Sequence, residues 1–183
     1  MNRENVVLVN ENDEAIAEME KLEAHKKGLL HRAFSVFIFN DRGEMLLQQR
    51  AFGKYHGSNL WSNTCCSHPT LGEQVKESAE ERLQYEMGLN CNISFLFSTI
   101  YKERVENGLI EHEFDHVFFG KTNLDPFPNV LEVRSFKWIQ PKEVLEDMNR
   151  NPEKFTIWFR KILPGVLTEI EKQGLITPLL FNR

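Results

Sequence analysis

The run His31–Phe39, HRAFSVFIF, sets Phe34, Val36 and Ile38 against Phe37 and Phe39. Successive side chains of a strand point to opposite faces, so both faces of this strand are apolar. Such a strand belongs inside a sheet and not on its edge, and the rest of the chain has to be arranged around it. Residues 40–43, Asn-Asp-Arg-Gly, form a tight turn, and residues 44–50 return as the hairpin partner. Further strands are expected at residues 5–9, 94–101, 109–120 and 134–139, with residues 15–21 pairing back on the first. After Gly72 the period changes: Val75, Ala79, Leu83 and Met87 recur every four residues, which is one helical stripe, and Gly88 stands at its C-cap. Residues 141–149 read as a short helix, and residues 155–173 as a longer one interrupted at Pro164-Gly165. No repeat, low-complexity tract or linker divides the chain. The expectation is one α/β domain over residues 1–183, a mixed sheet flanked by helices.

Bulk properties narrow the function. A length of 183 residues buries a real core, and a net charge of −5 argues against nonspecific nucleic-acid binding while leaving room for a local basic pocket. Cys65, Cys66 and Cys91 do not make a disulfide framework and suit a reducing compartment. The first 14 residues lack a signal-peptide pattern, and no apolar stretch is long enough to span a bilayer. A cytoplasmic protein without membrane partners is expected.

The chemistry concentrates in residues 61–89, WSNTCCSHPTLGEQVKESAEERLQYEMGL. Cys66 and His68 stand two apart in an extended segment and face one side together. Arg82 and Glu86, four apart on the helix, are neighbours. Glu111 and Glu113 share a strand face while His112 looks the other way, and two acids between apolar neighbours need positive compensation. A salt-bridged rim would meet that need, and so would a metal. His25 and His31 bracket a connection leading into the central strand; each alone reads as a solvated or core side chain, and together they suggest a metal arm. With His68, Glu111 and Glu113 they make a borderline-hard donor set for Mn²⁺, Zn²⁺ or Fe²⁺. Adjacent Cys65 and Cys66 lack structural-zinc spacing. Lys54 and His56 fall near the opening of the main motif; Arg50 and Lys54 could be ordinary surface charges, but beside the site they suit an anionic ligand.

These pieces resemble the type I isopentenyl-diphosphate delta-isomerases of the Nudix superfamily. WSNTCCSHP (residues 61–69), ERLQYEMG (81–88) and IEHE (110–113) carry the likeness, supported by KLEAHKKGLLHRAFS (21–35) and QQRAFGK (48–54). The resemblance implies a Nudix-type fold and an enzyme that interconverts isopentenyl and dimethylallyl diphosphate. It implies Cys66 and Glu113 as the catalytic pair, with Tyr101 assisting Glu113. It implies a divalent metal (Mn²⁺, Zn²⁺ or Mg²⁺) on His25, His31, His68, Glu111 and Glu113, and Glu86 on a Mg²⁺ that accompanies the diphosphate. Lys21, Arg50, Lys54 and Arg82 then hold diphosphate oxygens, and Trp158 lies against the isoprenyl group. The chain departs from the hydrolytic Nudix box: Ser67 replaces its opening glycine, Glu81-Arg82 reverses its Arg-Glu, and Tyr85 replaces one of its paired glutamates. A Nudix pyrophosphohydrolase and a catalytically silent metal-binding or diphosphate-binding module are the competing readings, and neither needs Cys66, Tyr101 and Glu113 together.

Overall fold

A computed structural model describes residues 4–176. In chain order the elements are β1 (Asn5–Val9), β2 (Ala15–Glu20), α1 (Lys21–Lys27), β3 (His31–Phe39), β4 (Met45–Arg50), β5 (Trp61–Ser62), β6 (Cys65–Ser67), α2 (Val75–Met87), β7 (Ile93–Arg104), β8 (Ile110–Lys121), β9 (Val133–Ile139), α3 (Pro141–Arg150) and α4 (Ile157–Gln173).

The doubly apolar β3 is central, as expected. β8 runs parallel to it from His31↔Glu113 to Phe39↔Lys121, and β7 pairs antiparallel on the far side of β8. Along its other edge β3 meets three strands in turn: β1 at Leu8↔His31, β6 at Ser35↔Cys66 and β4 at Phe39↔Met45. The expected β3–β4 hairpin therefore exists only at its base. β6 takes the middle of β3, and β4 pairs instead with β9 and β5. Alternation fixes which face a side chain takes, but it does not choose the neighbouring strand.

Each face of β3 has its own core. Phe34, Val36 and Ile38 pack with Cys65, Leu83 and Met87 beneath α2. Phe37 and Phe39 pack with Val117, Phe159, Leu163 and Val166 beneath α4. Burying each of these large side chains contributes roughly 1.5–3 kcal/mol. α2 carries the expected stripe, and Gly88 closes it in the left-handed conformation at φ 67°.

Three further expectations are corrected. His25 stands on a helix, α1, too short for its periodicity to register. The Glu20 carboxylate accepts from the backbone N–H groups of Leu22 (2.9 Å) and Glu23 (2.8 Å), and Gly28 ends the helix at φ 61°. α4 passes through Pro164 without interruption, because Leu163, Val166 and Leu167 are all buried against the sheet and outweigh the lost backbone bond. β7 continues past residue 101, the expected end of the strand, to Arg104.

Candidate active site

Strand register assembles the site. In the parallel pair His31↔Glu113 and the antiparallel pair Tyr101↔Glu113, directly opposed residues share a face. Glu111, Glu113 and Asp115 occupy that face of β8 and are all buried. Cys66, opposite Ser35 on β6, joins them on the α4 side, while fully buried Cys65 packs on the α2 side. One residue of register thus separates two adjacent thiols completely. The cavity they reach, with about 760 Å³ of empty space including its mouth, is lined by Cys66, His68, Glu111 and Glu113 inside and by Lys21, Lys54, Arg82 and Glu86. Tyr101 backs the cavity-lining Glu113, donating a short hydrogen bond to its Oε2.

The histidines are arranged as metal ligands are. His25 Nδ1 donates to the Lys21 carbonyl (2.6 Å) and His31 Nδ1 to the Leu29 carbonyl (2.8 Å). A carbonyl only accepts, so each neutral ring keeps its lone pair on Nε2, the tautomer that outer-shell bonds fix in metal sites. These two buried Nε2 atoms, with Glu111 Oε1, have no hydrogen-bond partner among the described residues. They nevertheless point at carboxylates: His25 Nε2 lies 3.3 Å from Glu111 Oε2 and His31 Nε2 3.7 Å from Glu113 Oε1. His68 Nε2 stands 2.9 Å from the same Glu113 oxygen. Buried donor atoms that converge, three of them without a hydrogen bond, fit a divalent cation at their centre.

The electrostatics keep thiol and carboxyl in opposite states. Burial presses the Cys66 thiol up to about 12, against the pull of the Arg50 guanidinium 3.9 Å from its sulfur. Burial and the Glu111 charge push Glu113 upward, but contacts with His31 and His68 outweigh them and bring it to about 2. Burial raises Tyr101 well above its ordinary range. Beneath this group Ser35 donates to Asp115 Oδ2 (2.8 Å), and burial holds the Asp115 carboxyl well above the usual carboxylate range.

The sequence model of the NUDIX domain matches residues 29–159. The isopentenyl-diphosphate Delta-isomerase of Pectobacterium atrosepticum is 52% identical over 155 residues, which cover 85% of this chain and 87% of that one. An isopentenyl-diphosphate Delta-isomerase 2 of Photorhabdus laumondii is 43% identical over 161 residues, covering 88% and 91%. The chain belongs to the type I isopentenyl-diphosphate delta-isomerase family. Among solved structures, a Deinococcus radiodurans protein superposes with a TM-score of 0.67 at 17% identity, over 81% of this chain and 90% of its own. A MutT protein from Methanosarcina mazei follows at a TM-score of 0.62 and 16% identity, over 79% and 95%. At such identities these two likenesses bear on the fold alone.

The reduced Nudix box of this isomerase-family chain now has a structural meaning. Glu73 accepts from Thr70 N (2.9 Å) and Ser78 Oγ (2.5 Å) and so secures the start of α2. Glu81 and Tyr85 are exposed on the outer face of that helix. Of the former cluster only Glu86 looks inward, paired to Arg82 at 2.5 Å and accepting from Gln48 Nε2 at 3.2 Å. Lys54 pairs with Glu132, whose other oxygen lies 3.5 Å from Arg82. Lys21 is pushed below the ordinary lysine value by burial and then by the neighbouring charges of Lys54 and Arg82. Arg50 is deeper than expected: its guanidinium lies 5.0 Å from the Trp158 ring centre and donates to the His56 carbonyl (3.2 Å). Trp158 is fixed through Nε1–H to Ser62 Oγ (2.9 Å). Of the residues singled out from the sequence, the structure places Lys21, Arg50, Lys54, Cys66, His68, Arg82, Glu86, Glu111, Glu113 and Trp158 in the cavity lining, and His25, His31 and Tyr101 against Glu111 and Glu113. The sequence reading gave no role to Tyr55, His56 or Glu132, which also line the cavity, nor to Asp115 just below it. Asp115 extends the Glu111, Glu113 alternation and was legible by it; the other three sit outside any periodic pattern.

Proposed function

We propose that this chain catalyses the interconversion of isopentenyl and dimethylallyl diphosphate. The observation that carries the reading is that Cys66, delivered by β6, and the Glu113–Tyr101 pair, delivered by β8 and β7, face one cavity with a cationic end. The reaction needs a proton added to the terminal carbon of an unactivated alkene and a different proton removed from the carbon on the other side of the double bond. The first step uses the π pair to form a C–H bond and leaves a tertiary carbocation, and in the second the bonding pair of the C–H bond that breaks becomes the new double bond. An alkene is a very weak base, so donor and acceptor have to be close and water has to be kept out. Cys66 and the Glu113–Tyr101 pair act from two sides, one giving and one taking. The indole of Trp158 in the cavity wall offers its negative face to developing positive charge. Lys21, Arg50, Lys54 and Arg82 hold diphosphate oxygens, with Glu86 on an accompanying Mg²⁺; the anchored diphosphate positions the reacting carbons without reacting itself.

A divalent metal (Mn²⁺, Zn²⁺ or Mg²⁺) held by His25, His31, His68, Glu111 and Glu113 would supply a fixed positive charge beside Glu113, orienting its carboxyl and altering its proton affinity. The reduced thiols suit a cytoplasmic enzyme. Incubation with isopentenyl diphosphate tests the proposal: dimethylallyl diphosphate is expected without release of phosphate, and a chelator is expected to stop turnover until Mn²⁺ or Mg²⁺ is restored. Phosphate release would favour the hydrolase reading, and undiminished turnover after metal stripping would contradict the ligand assignment.

A further inference from the structure

We propose that His56 is a sixth protein ligand and closes the metal's coordination shell; this rests on reading the His/Glu cluster as a metal centre. His56 is nine-tenths buried in the cavity wall, on the loop between β4 and β5. Its Nε2 contacts Glu111 Oε1, an oxygen that accepts no hydrogen bond from any described residue. The donor atoms form two groups, each within 4.8 Å, that share His25: His25, His31, His68 and Glu113 in one, His25, His56 and Glu111 in the other; the His56 ring centre is 5.6 Å from that of His25, the same separation as between His25 and His68. Donor atoms at right angles around an ion with bonds of about 2.1 Å stand about 3 Å apart. The contacts of His25 with Glu111 (3.3 Å) and of His68 with Glu113 (2.9 Å) have about that spacing, and His56 closes on Glu111 more tightly than either.

Four imidazoles and two carboxylates complete six-coordination. His56 differs from His25 and His31 in how it is held. Its Nδ1 is buried with no hydrogen-bond partner among the described residues, and the ring is wedged between Tyr55 (4.3 Å) and the edge of Trp158 (5.5 Å). It is a ligand brought by a loop, two residues from Lys54. The consequence is chemical. A metal whose six positions are all taken by side chains has no place for an exchangeable water, so it can orient and charge a carboxyl but cannot present hydroxide to a diphosphate.

Mn²⁺ alone is the probe, added to the full chain, and water-proton relaxation counts exchangeable waters on the bound ion. The wild-type chain is expected to bind one Mn²⁺ with no such water. H56Q and H56A are expected to keep one Mn²⁺ per chain, bind it about 10–100-fold more weakly, and gain a water. X-ray absorption of the Zn²⁺-loaded wild type is expected to count four imidazoles, which settles the matter even if a variant fails to fold. A wild-type count of three imidazoles, or equal hydration and affinity in wild type and H56Q, would overturn the proposal while leaving the metal centre intact. Failure of the wild type to bind either metal would remove the metal reading itself, and this proposal with it; H25A, expected to lose the metal outright, separates the two.

Discussion

Cys65 and Cys66 are chemically identical and adjacent, and one residue of strand register decides between them. Cys66→Ala is expected to reduce turnover by at least about a hundredfold, the lower end of what a positioned proton-transfer group contributes, with an unchanged melting temperature. Cys65→Ala is expected to leave turnover within a few-fold and to cost stability through the small cavity beneath α2. A dead Cys65→Ala beside an active Cys66→Ala in a steady-state assay would mean that the register of β6 is misassigned. At this scale much was legible in advance. The same-face pairs Cys66/His68 and Glu111/Glu113 follow from period two, and Arg82/Glu86 from the helical repeat. The partnership of Tyr101 with Glu113 came only through family resemblance, because it depends on cross-strand register between two long strands. Glu132 was illegible as a site residue, and His56 was placed near the motif but given no role, since nothing in a loop's spacing says where it folds back.

Among the elements, α2 and the loop that follows β8 are joined at a point that tolerates no side chain. Gly88 has a left-handed φ of 67°, and a Cβ there would stand 2.5 Å from the Phe127 carbonyl oxygen. Phe127 N–H donates to the Met87 carbonyl (2.8 Å) and Asn129 N–H to that of Glu86 (2.9 Å), so the loop rests on the helix end that presents Glu86. Gly88→Ala is expected to lose at least about 2 kcal/mol in chemical denaturation, the left-handed backbone alone accounting for about 1–2 kcal/mol. Gly72→Ala, also left-handed but in open space, is the control and should lose less; equal losses would remove the contact as the cause. α1 begins with Lys21, whose proton is loosened by burial and by Lys54 and Arg82. A bound anion restores that proton, so pyrophosphate binding is expected to take up protons and to weaken as pH rises through the lowered Lys21 value. Calorimetry in buffers of different ionisation enthalpy measures the uptake, and Lys21→Arg, charged throughout this range, should abolish it. Unchanged uptake in that variant would reassign the proton to another group. The stripe and cap of α2 were plain in the sequence. α1 was not, because seven residues are too few for periodicity, and neither was the continuity of α4, which packing decides over Pro164.

The whole molecule is a mixed sheet clasped between α2 and α4, with its site at the place where β3 exchanges β1 for β6 along one edge and keeps β8 along the other. A chain of net charge −5 concentrates Lys21, Lys54 and Arg82 at that cavity, so its field is local and suited to one small anion. The apolar strands announced the layered architecture; strand order, which creates the cavity, emerged only in three dimensions. Turnover of isopentenyl diphosphate in deuterated water tests most directly whether two protein groups exchange hydrogen with opposite sides of one double bond. The expected result is dimethylallyl diphosphate deuterated in its new methyl group, with label returning to the recovered isopentenyl diphosphate as the reaction reverses. Product formed at full rate with no solvent deuterium would mean that hydrogen migrates within the substrate, and the thiol and the carboxyl would have no part in it.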